Sequence, residues 1–170
     1  MGGKTNTLDL ARLGLSSGEA VSLDPSVALD AIELGGQRYT AKGAAADARL
    51  DVSHTTSGYA LRLRFDIRLA GPCVRCLEDA GHDLSIDARE VDQPGGGDDL
   101  RSPYLDGDEL DLRSWARDAL VLALPVQILC SAECRGLCGI CGANLNEDPE
   151  HAHEREPDPR WAKLSELKLD

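Results

Sequence analysis

Hydrophobic and polar positions alternate most regularly in the middle of the chain. Between residues 59 and 69 every second side chain is apolar: Leu61, Leu63, Phe65, Ile67 and Leu69. Such an alternation predicts a strand with one buried face, and residues 47–53 and 82–91 repeat it. The short segment 54–58 between the first two predicts a hairpin connection. We therefore expect residues 37–92 to form an antiparallel sheet.

Residues 112–124 follow a different period. Their apolar side chains recur at spacings of three and four, which predicts a helix with one face packed on the sheet: Leu112, Trp115, Ala116, Ala119, Leu120 and Ala123. Asp108 or Asp111 is suited to cap the start of this helix, and Pro125 ends it. Residues 1–35 have weaker periodicity, and proline and paired glycines interrupt them, which indicates short strands or turns.

These patterns divide the chain into four parts of one domain. We expect a β-rich N-terminal part at residues 1–92 and an acidic flexible linker at residues 93–109. A helix followed by a cysteine-rich zinc segment occupies residues 110–146, and an acidic tail with a short helix occupies residues 147–170. The predicted fold class is α+β, an antiparallel β-sheet or partial barrel with a packed helix and a zinc-knuckle region.

The negative net charge of the chain favours some classes of binding partner over others. The 170 residues carry a formal net charge of −12, and only 4% of them are aromatic. Binding to a phosphate backbone normally needs clustered lysine and arginine, and stacking on bases needs aromatic side chains. An acidic surface fits a basic protein partner better, so we expect RNA contact to be weak or indirect.

The N-terminus lacks the apolar stretch of a signal peptide, and the longest apolar run, residues 119–126, is too short to cross a bilayer. We therefore expect a cytoplasmic protein with no membrane partner. Cytosolic thiols stay reduced, so the six cysteines indicate metal or redox chemistry more than structural disulfides.

Two cysteine pairs have the C-x-x-C spacing, Cys73 with Cys76 and Cys138 with Cys141. This spacing forms a tight turn that directs both sulfur atoms to one point, so two such turns can hold Zn²⁺ in a tetrahedron. The first pair falls between two predicted strands, at a hairpin tip. We favour a site made of these four cysteines, which would join the helical part to the sheet.

Other ligand sets stay open. Cys130 and Cys134 precede the second pair closely enough to form a local four-sulfur loop with it. His151 and His153 are also capable of binding metal, although histidines in an acidic tail are more often simply solvated.

A site with four sulfur ligands is closed, which argues for a structural Zn²⁺ and against catalysis. We therefore expect no enzymatic activity and no small-molecule substrate. The alternative is a thiol or zinc redox enzyme that uses the C-x-x-C pairs. A thioredoxin-like pair begins a helix in a βαβ context, whereas Cys73 lies between predicted strands.

Four stretches of the chain together resemble the YceD family of large ribosomal RNA subunit accumulation proteins. They are Cys73-Val-Arg-Cys-Leu, the segment from Asp111 to Leu-Ala-Leu-Pro125, Gly-Leu-Cys138-Gly-Ile-Cys141-Gly-Ala-Asn-Leu-Asn, and Asp158-Pro-Arg-Trp-Ala-Lys-Leu. The resemblance covers at least residues 59–167. It implies a bacterial cytoplasmic protein needed for accumulation of 23S ribosomal RNA, with a ribosomal protein or pre-ribosomal particle as partner.

Overall fold

The structure is a computed structural model that describes residues 7–43 and 45–153. In these ranges it contains ten strands, one α-helix and two short 3-10 turns at Ala11–Leu13 and Asp98–Leu100. The strands are β1 (Thr7–Asp9), β2 (Ala20–Leu23), β3 (Ser26–Ala28), β4 (Ile32–Leu34), β5 (Gln37–Ala41), β6 (Ala45–His54), β7 (Tyr59–Pro72), β8 (Asp79–Asp92), β9 (Leu105–Asp106) and β10 (Glu109–Asp111). The helix is α1 (Leu112–Leu122).

Strand β7 is the centre of the larger sheet. It pairs along its whole length with β8, from Tyr59 opposite Asp92 to Pro72 opposite Asp79. On its other side β7 pairs with β6 and, near its end, with β5. These pairings are antiparallel, and the sheet is open and does not close into a barrel. The predicted antiparallel sheet with one packed helix is confirmed, and the described part of the chain is mostly β.

The alternation along β7 separates a buried face from a charged face. Its five apolar side chains are buried, as are four side chains of α1 that pack with them in one core: Leu61, Leu63, Phe65, Ile67, Leu69, Leu112, Trp115, Ala116 and Leu120. Tyr104 stacks on Trp115 with ring centres 6.3 Å apart. Burial of this apolar surface is the main term that holds the helix on the sheet.

The charged face of β7 consists of ion pairs with the neighbouring strands. Its three arginines each contact an aspartate: Arg62 with Asp87 at 2.6 Å, Arg64 with Asp51 at 2.5 Å, and Arg68 with Asp83 at 2.5 Å. Cross-strand pairs of opposite charge support the register of a sheet. These guanidinium groups are therefore already engaged within the protein.

Residues 93–109, predicted above as an acidic flexible linker, contain one of the 3-10 turns and strand β9. Ser102 and Leu105 are buried there. The buried carboxylate of Asp92 explains this local order, because it accepts the backbone N–H of Ser102 at 3.0 Å and pairs with Arg101. A buried carboxylate needs such donors. Strands β9 and β10 then continue into a second sheet with β1.

Helix α1 begins and ends close to the predicted residues. Asp111 is its N-cap, and the last helical residue is Leu122, three positions before Pro125. The predicted short helix in the tail, residues 160–169, lies outside the described residues.

The Asp111 cap provides a test of pH-dependent stability. Its carboxylate accepts hydrogen bonds from the Ser114 hydroxyl at 2.6 Å and the Ser114 backbone N–H at 3.0 Å, and these hold the pKa of Asp111 below its usual range. A lowered pKa means that this stabilisation is present above the unfolded-state pKa, about 4, and is lost as the pH falls through the folded-state pKa. We expect Asp111→Ala to lower the free energy of unfolding by about 1 kcal/mol at pH 7.

Urea unfolding at pH 7 and at pH 3 measures this effect. The difference between the wild type and Asp111→Ala should shrink at the lower pH. Asp111→Asn is the matched control, because an asparagine cap retains most of its stabilisation at both pH values. An equal loss for Asp111→Ala at both pH values would show that the carboxylate charge does not contribute.

Candidate metal centres

The tip of the β7–β8 hairpin is a tight turn that carries Cys73 and Cys76. The backbone N–H of Cys73 donates to the carbonyl of Glu78 at 2.7 Å, and that of Leu77 donates to Cys73 at 3.0 Å. Leu77 has a φ of 64°, in the left-handed region, which closes the turn. Both cysteines are buried, so the turn directs its sulfur atoms into the protein.

The segment after α1 faces this turn. Ile128 is buried, and its carbonyl accepts the backbone N–H of Val74 at 3.1 Å. This contact brings Cys130 and Cys134 to the hairpin tip. Arg75 reinforces the arrangement, since its guanidinium donates to the carbonyl of Cys134 at 2.9 Å.

Four sulfur atoms meet at this point, and we call them the four-sulfur cluster: Cys73, Cys76, Cys130 and Cys134. The Sγ atoms of Cys73 and Cys134 lie 3.7 Å apart, those of Cys76 and Cys130 lie 3.5 Å apart, and all four lie within 4.8 Å of one another. A tetrahedral site with Zn–S bonds of about 2.3 Å has sulfur–sulfur edges of about 3.8 Å. The cluster therefore fits a zinc ion in both ligand type and spacing.

Polar groups around the four-sulfur cluster suit thiolates. The backbone N–H of Arg75 donates to the Sγ of Cys73 at 3.4 Å, and the Asn146 side-chain amide donates to the Sγ of Cys134 at 3.5 Å. Burial acts to raise the pKa of Cys73, but backbone N–H donors at Cys76 and Arg75 outweigh it and lower the pKa to about 6. Burial, together with hydrogen bonds to neighbouring thiols, raises the pKa of Cys76. Adjacent thiolates repel, so full ionisation of the cluster requires a bound cation.

A second group of potential ligands lies further along the chain, and we call it the Cys/His cluster: Cys138, Cys141, His151 and His153. Its C-x-x-C turn is closed by two backbone hydrogen bonds, from Cys138 to the carbonyl of Ala143 at 2.8 Å and from Gly142 to the carbonyl of Cys138 at 2.9 Å. Gly142 has a φ of 76°, which favours glycine at this position. The four ligand atoms lie within 4.8 Å of one another.

The structure groups the six cysteines differently from both sequence-based alternatives. It does not bring Cys73 and Cys76 together with Cys138 and Cys141, as the favoured set required. It also places Cys130 and Cys134 in a different group from Cys138 and Cys141, whereas the local set required all four together. Each C-x-x-C pair instead has its own partners. His151 and His153, which the favoured set did not include, lie beside Cys138 and Cys141 in the structure, and their H-x-H spacing shortly after Cys141 was the feature that pointed to them.

No helix within the described ranges is long and apolar enough to cross a membrane.

Relatives of known sequence are similar to this chain over different lengths. An uncharacterized protein of Mycobacterium tuberculosis (strain ATCC 25618 / H37Rv) is 31% identical in an alignment 175 residues long, which spans 95% of this chain and 80% of the relative. A large ribosomal RNA subunit accumulation protein, YCED homolog 1, chloroplastic, of Zea mays is 33% identical over 76 residues, 45% of this chain and 22% of that protein. The Arabidopsis thaliana protein of the same description is 32% identical over 60 residues, 35% of this chain and 19% of that protein. No solved structure matches the chain.

A family model, described as large ribosomal RNA subunit accumulation protein YceD, matches residues 61–168. The matched span contains the residues of both clusters and confirms the resemblance that the cysteine and helix motifs indicated. The chain therefore belongs to the YceD family of large ribosomal RNA subunit accumulation proteins.

Proposed function

We propose that this protein is a non-enzymatic, zinc-binding factor that supports accumulation of 23S ribosomal RNA, and so biogenesis of the large ribosomal subunit, in the bacterial cytoplasm. Family membership supports the ribosomal role. The observation that supports a non-enzymatic, zinc-binding role is the four-sulfur cluster, whose spacing fits a closed Zn²⁺ site.

The zinc ion at the four-sulfur cluster has a structural role in this proposal. Two of its ligands, Cys73 and Cys76, belong to the hairpin tip, and the other two follow helix α1. A metal bound there joins elements that are 54 to 61 residues apart in sequence. Four protein sulfurs leave no open coordination position for a substrate or an activated water. The site thus stabilises a surface that binds a partner.

Charge supports a basic ribosomal protein as that partner. The net charge of −12 repels phosphate and attracts a cationic protein. The three arginines of β7 are the cationic stripe that would have suited RNA, but each is paired with an aspartate. An RNA phosphate would have to displace these internal partners.

Titrations by fluorescence anisotropy test the choice of partner. We expect binding to purified basic large-subunit ribosomal proteins that weakens as salt rises, and only weak binding to bare large-subunit RNA fragments at physiological salt. The Arg62→Gln/Arg64→Gln/Arg68→Gln variant should bind RNA as the wild type does. Sub-micromolar binding to RNA alone that this variant loses would contradict the proposal and make the β7 face an RNA site.

The alternative function is a thiol or zinc redox enzyme. In the structure Cys73 lies in a turn between two strands and not at the start of a helix, unlike the thioredoxin-type pair. Titration of free thiols in the native and the denatured protein separates the two functions. A zinc protein exposes most of its thiols only after denaturation or chelation, whereas a redox enzyme exposes a reactive pair in its native state.

A further inference from the structure

We propose that the Cys/His cluster is a second zinc site, which fills independently of the four-sulfur cluster and holds the segment 136–153 in its folded form. Its ligands are the thiolates of Cys138 and Cys141 and the Nε2 atoms of His151 and His153. This site goes beyond the proposed function, which rests on the four-sulfur cluster alone.

The distances within the Cys/His cluster match a tetrahedral site. Cys138 Sγ lies 3.2 Å from His153 Nε2, Cys141 Sγ lies 3.2 Å from His151 Nε2, and the two Nε2 atoms are 3.0 Å apart. Zinc bonds of about 2.3 Å to sulfur and about 2.0 Å to nitrogen give edges of about 3.3–3.6 Å for nitrogen–nitrogen and nitrogen–sulfur pairs. The three observed distances are shorter than these edges by only a few tenths of an ångström.

Hydrogen bonding alone does not account for this convergence. An imidazole nitrogen carries either one hydrogen or one lone pair, so it makes one good hydrogen bond in the plane of the ring. Each Nε2 here contacts two groups, a cysteine sulfur and the other Nε2. The two rings stand edge to face, at 84° to one another. Four lone pairs directed at one shared cation satisfy these atoms together.

The groups that contact the ligand side chains also support a zinc site at the Cys/His cluster. The Nδ1 of His151 lies 3.5 Å from the carboxylate of Asp148, which favours a proton on Nδ1 and leaves the lone pair on Nε2. Carboxylate–histidine–zinc arrangements of this kind orient metal ligands in proteins. The backbone N–H of Ile140 lies 3.5 Å from the Sγ of Cys138, as expected for a C-x-x-C turn that supports a thiolate.

The two clusters differ in access to solvent. Three of the four cysteines in the four-sulfur cluster are buried, whereas Cys141 and His153 are exposed. A chelator can therefore reach the Cys/His cluster first. We expect two phases of zinc release from the wild-type protein, the faster one from the Cys/His cluster.

Elemental analysis of protein purified without a histidine tag tests the second site. We expect two zinc equivalents in the wild type and one in the Cys138→Ser/Cys141→Ser variant, which should also lose the fast phase of release. Equal zinc contents in these two proteins would overturn the proposal and leave the four-sulfur site in place. A wild type with one zinc, absent from the double variant, would support the second site and contradict the proposed function.

Asp148→Asn provides a subtler variant that keeps all four ligands. We expect it to weaken zinc binding at the Cys/His cluster by about 10–100-fold, with the four-sulfur cluster unchanged.

In the cobalt-substituted protein, absorption from thiolate-to-cobalt charge transfer should fall by about one third in the Cys138→Ser/Cys141→Ser variant, because two of six thiolate ligands are removed. An unchanged cobalt spectrum in that variant would also overturn the assignment.

Discussion

We expect Cys134→Ser to remove zinc from the four-sulfur cluster and to lower the free energy of unfolding by more than about 4 kcal/mol. Serine is a poor zinc ligand at neutral pH, and the free energy of binding a structural metal is part of the free energy of folding. Cys134 is buried beside Cys73, so the variant also removes the metal-mediated link between the hairpin tip and the segment after α1.

Denaturant unfolding followed by tryptophan fluorescence measures this loss, because Trp115 lies in the core. Cys141→Ser is the matched control, because it removes a thiolate from the Cys/His cluster at an exposed position. This variant should lose the zinc of the Cys/His cluster, with little change in the free energy of unfolding of the core. A Cys134→Ser protein with wild-type zinc content and an unchanged midpoint would contradict a structural metal at this position.

Gly71→Ala should produce the next largest effect, a loss of about 1–3 kcal/mol in the free energy of unfolding. Gly71 lies in β7 just before the hairpin tip. A Cβ atom there would come 2.5 Å from the buried ring of Tyr39 and 2.8 Å from the backbone carbonyl of Arg38. The backbone cannot yield easily, and the Tyr39 hydroxyl is also held in place, since it donates to the carbonyl of Pro72 at 2.7 Å.

This substitution reports on the metal site as well as on packing. A displaced Pro72 moves Cys73, so we expect weaker zinc binding at the four-sulfur cluster in a competition titration with a chromogenic chelator. Gly95→Ala is the control, because no atom lies within 4 Å of a Cβ built there. Equal stability of the two variants would show that the close approach of Tyr39 and Gly71 does not constrain the hairpin tip.

Much of the fold was predictable from local patterns. Strands β6, β7 and β8 follow the period-two alternation, and α1 follows the period of three and four between Asp111 and Pro125. These elements are long enough for one buried face to dominate the pattern. The short strands β1, β9 and β10 were not predicted individually, because two or three residues define no period and their pairing depends on distant partners.

The cysteines were recognisable as candidate metal ligands, but their grouping in the fold was not. Matching one C-x-x-C pair with the other is reasonable when only spacing is known. The actual grouping depends on a tertiary contact, the buried Ile128 against the hairpin tip, which positions Cys130 and Cys134. With those two cysteines at the hairpin tip, the second pair lies instead beside His151 and His153. His151 and His153 lie nearby in sequence, so the entropy lost on closing this loop is small.

X-ray absorption at the zinc edge, on the Cys138→Ser/Cys141→Ser variant, tests the central claim most directly. With the Cys/His cluster disabled, the remaining zinc should have four sulfur neighbours at about 2.3 Å. Nitrogen or oxygen neighbours in place of sulfur, or a variant that purifies folded without zinc, would contradict the assignment of Cys73, Cys76, Cys130 and Cys134 as a closed structural site.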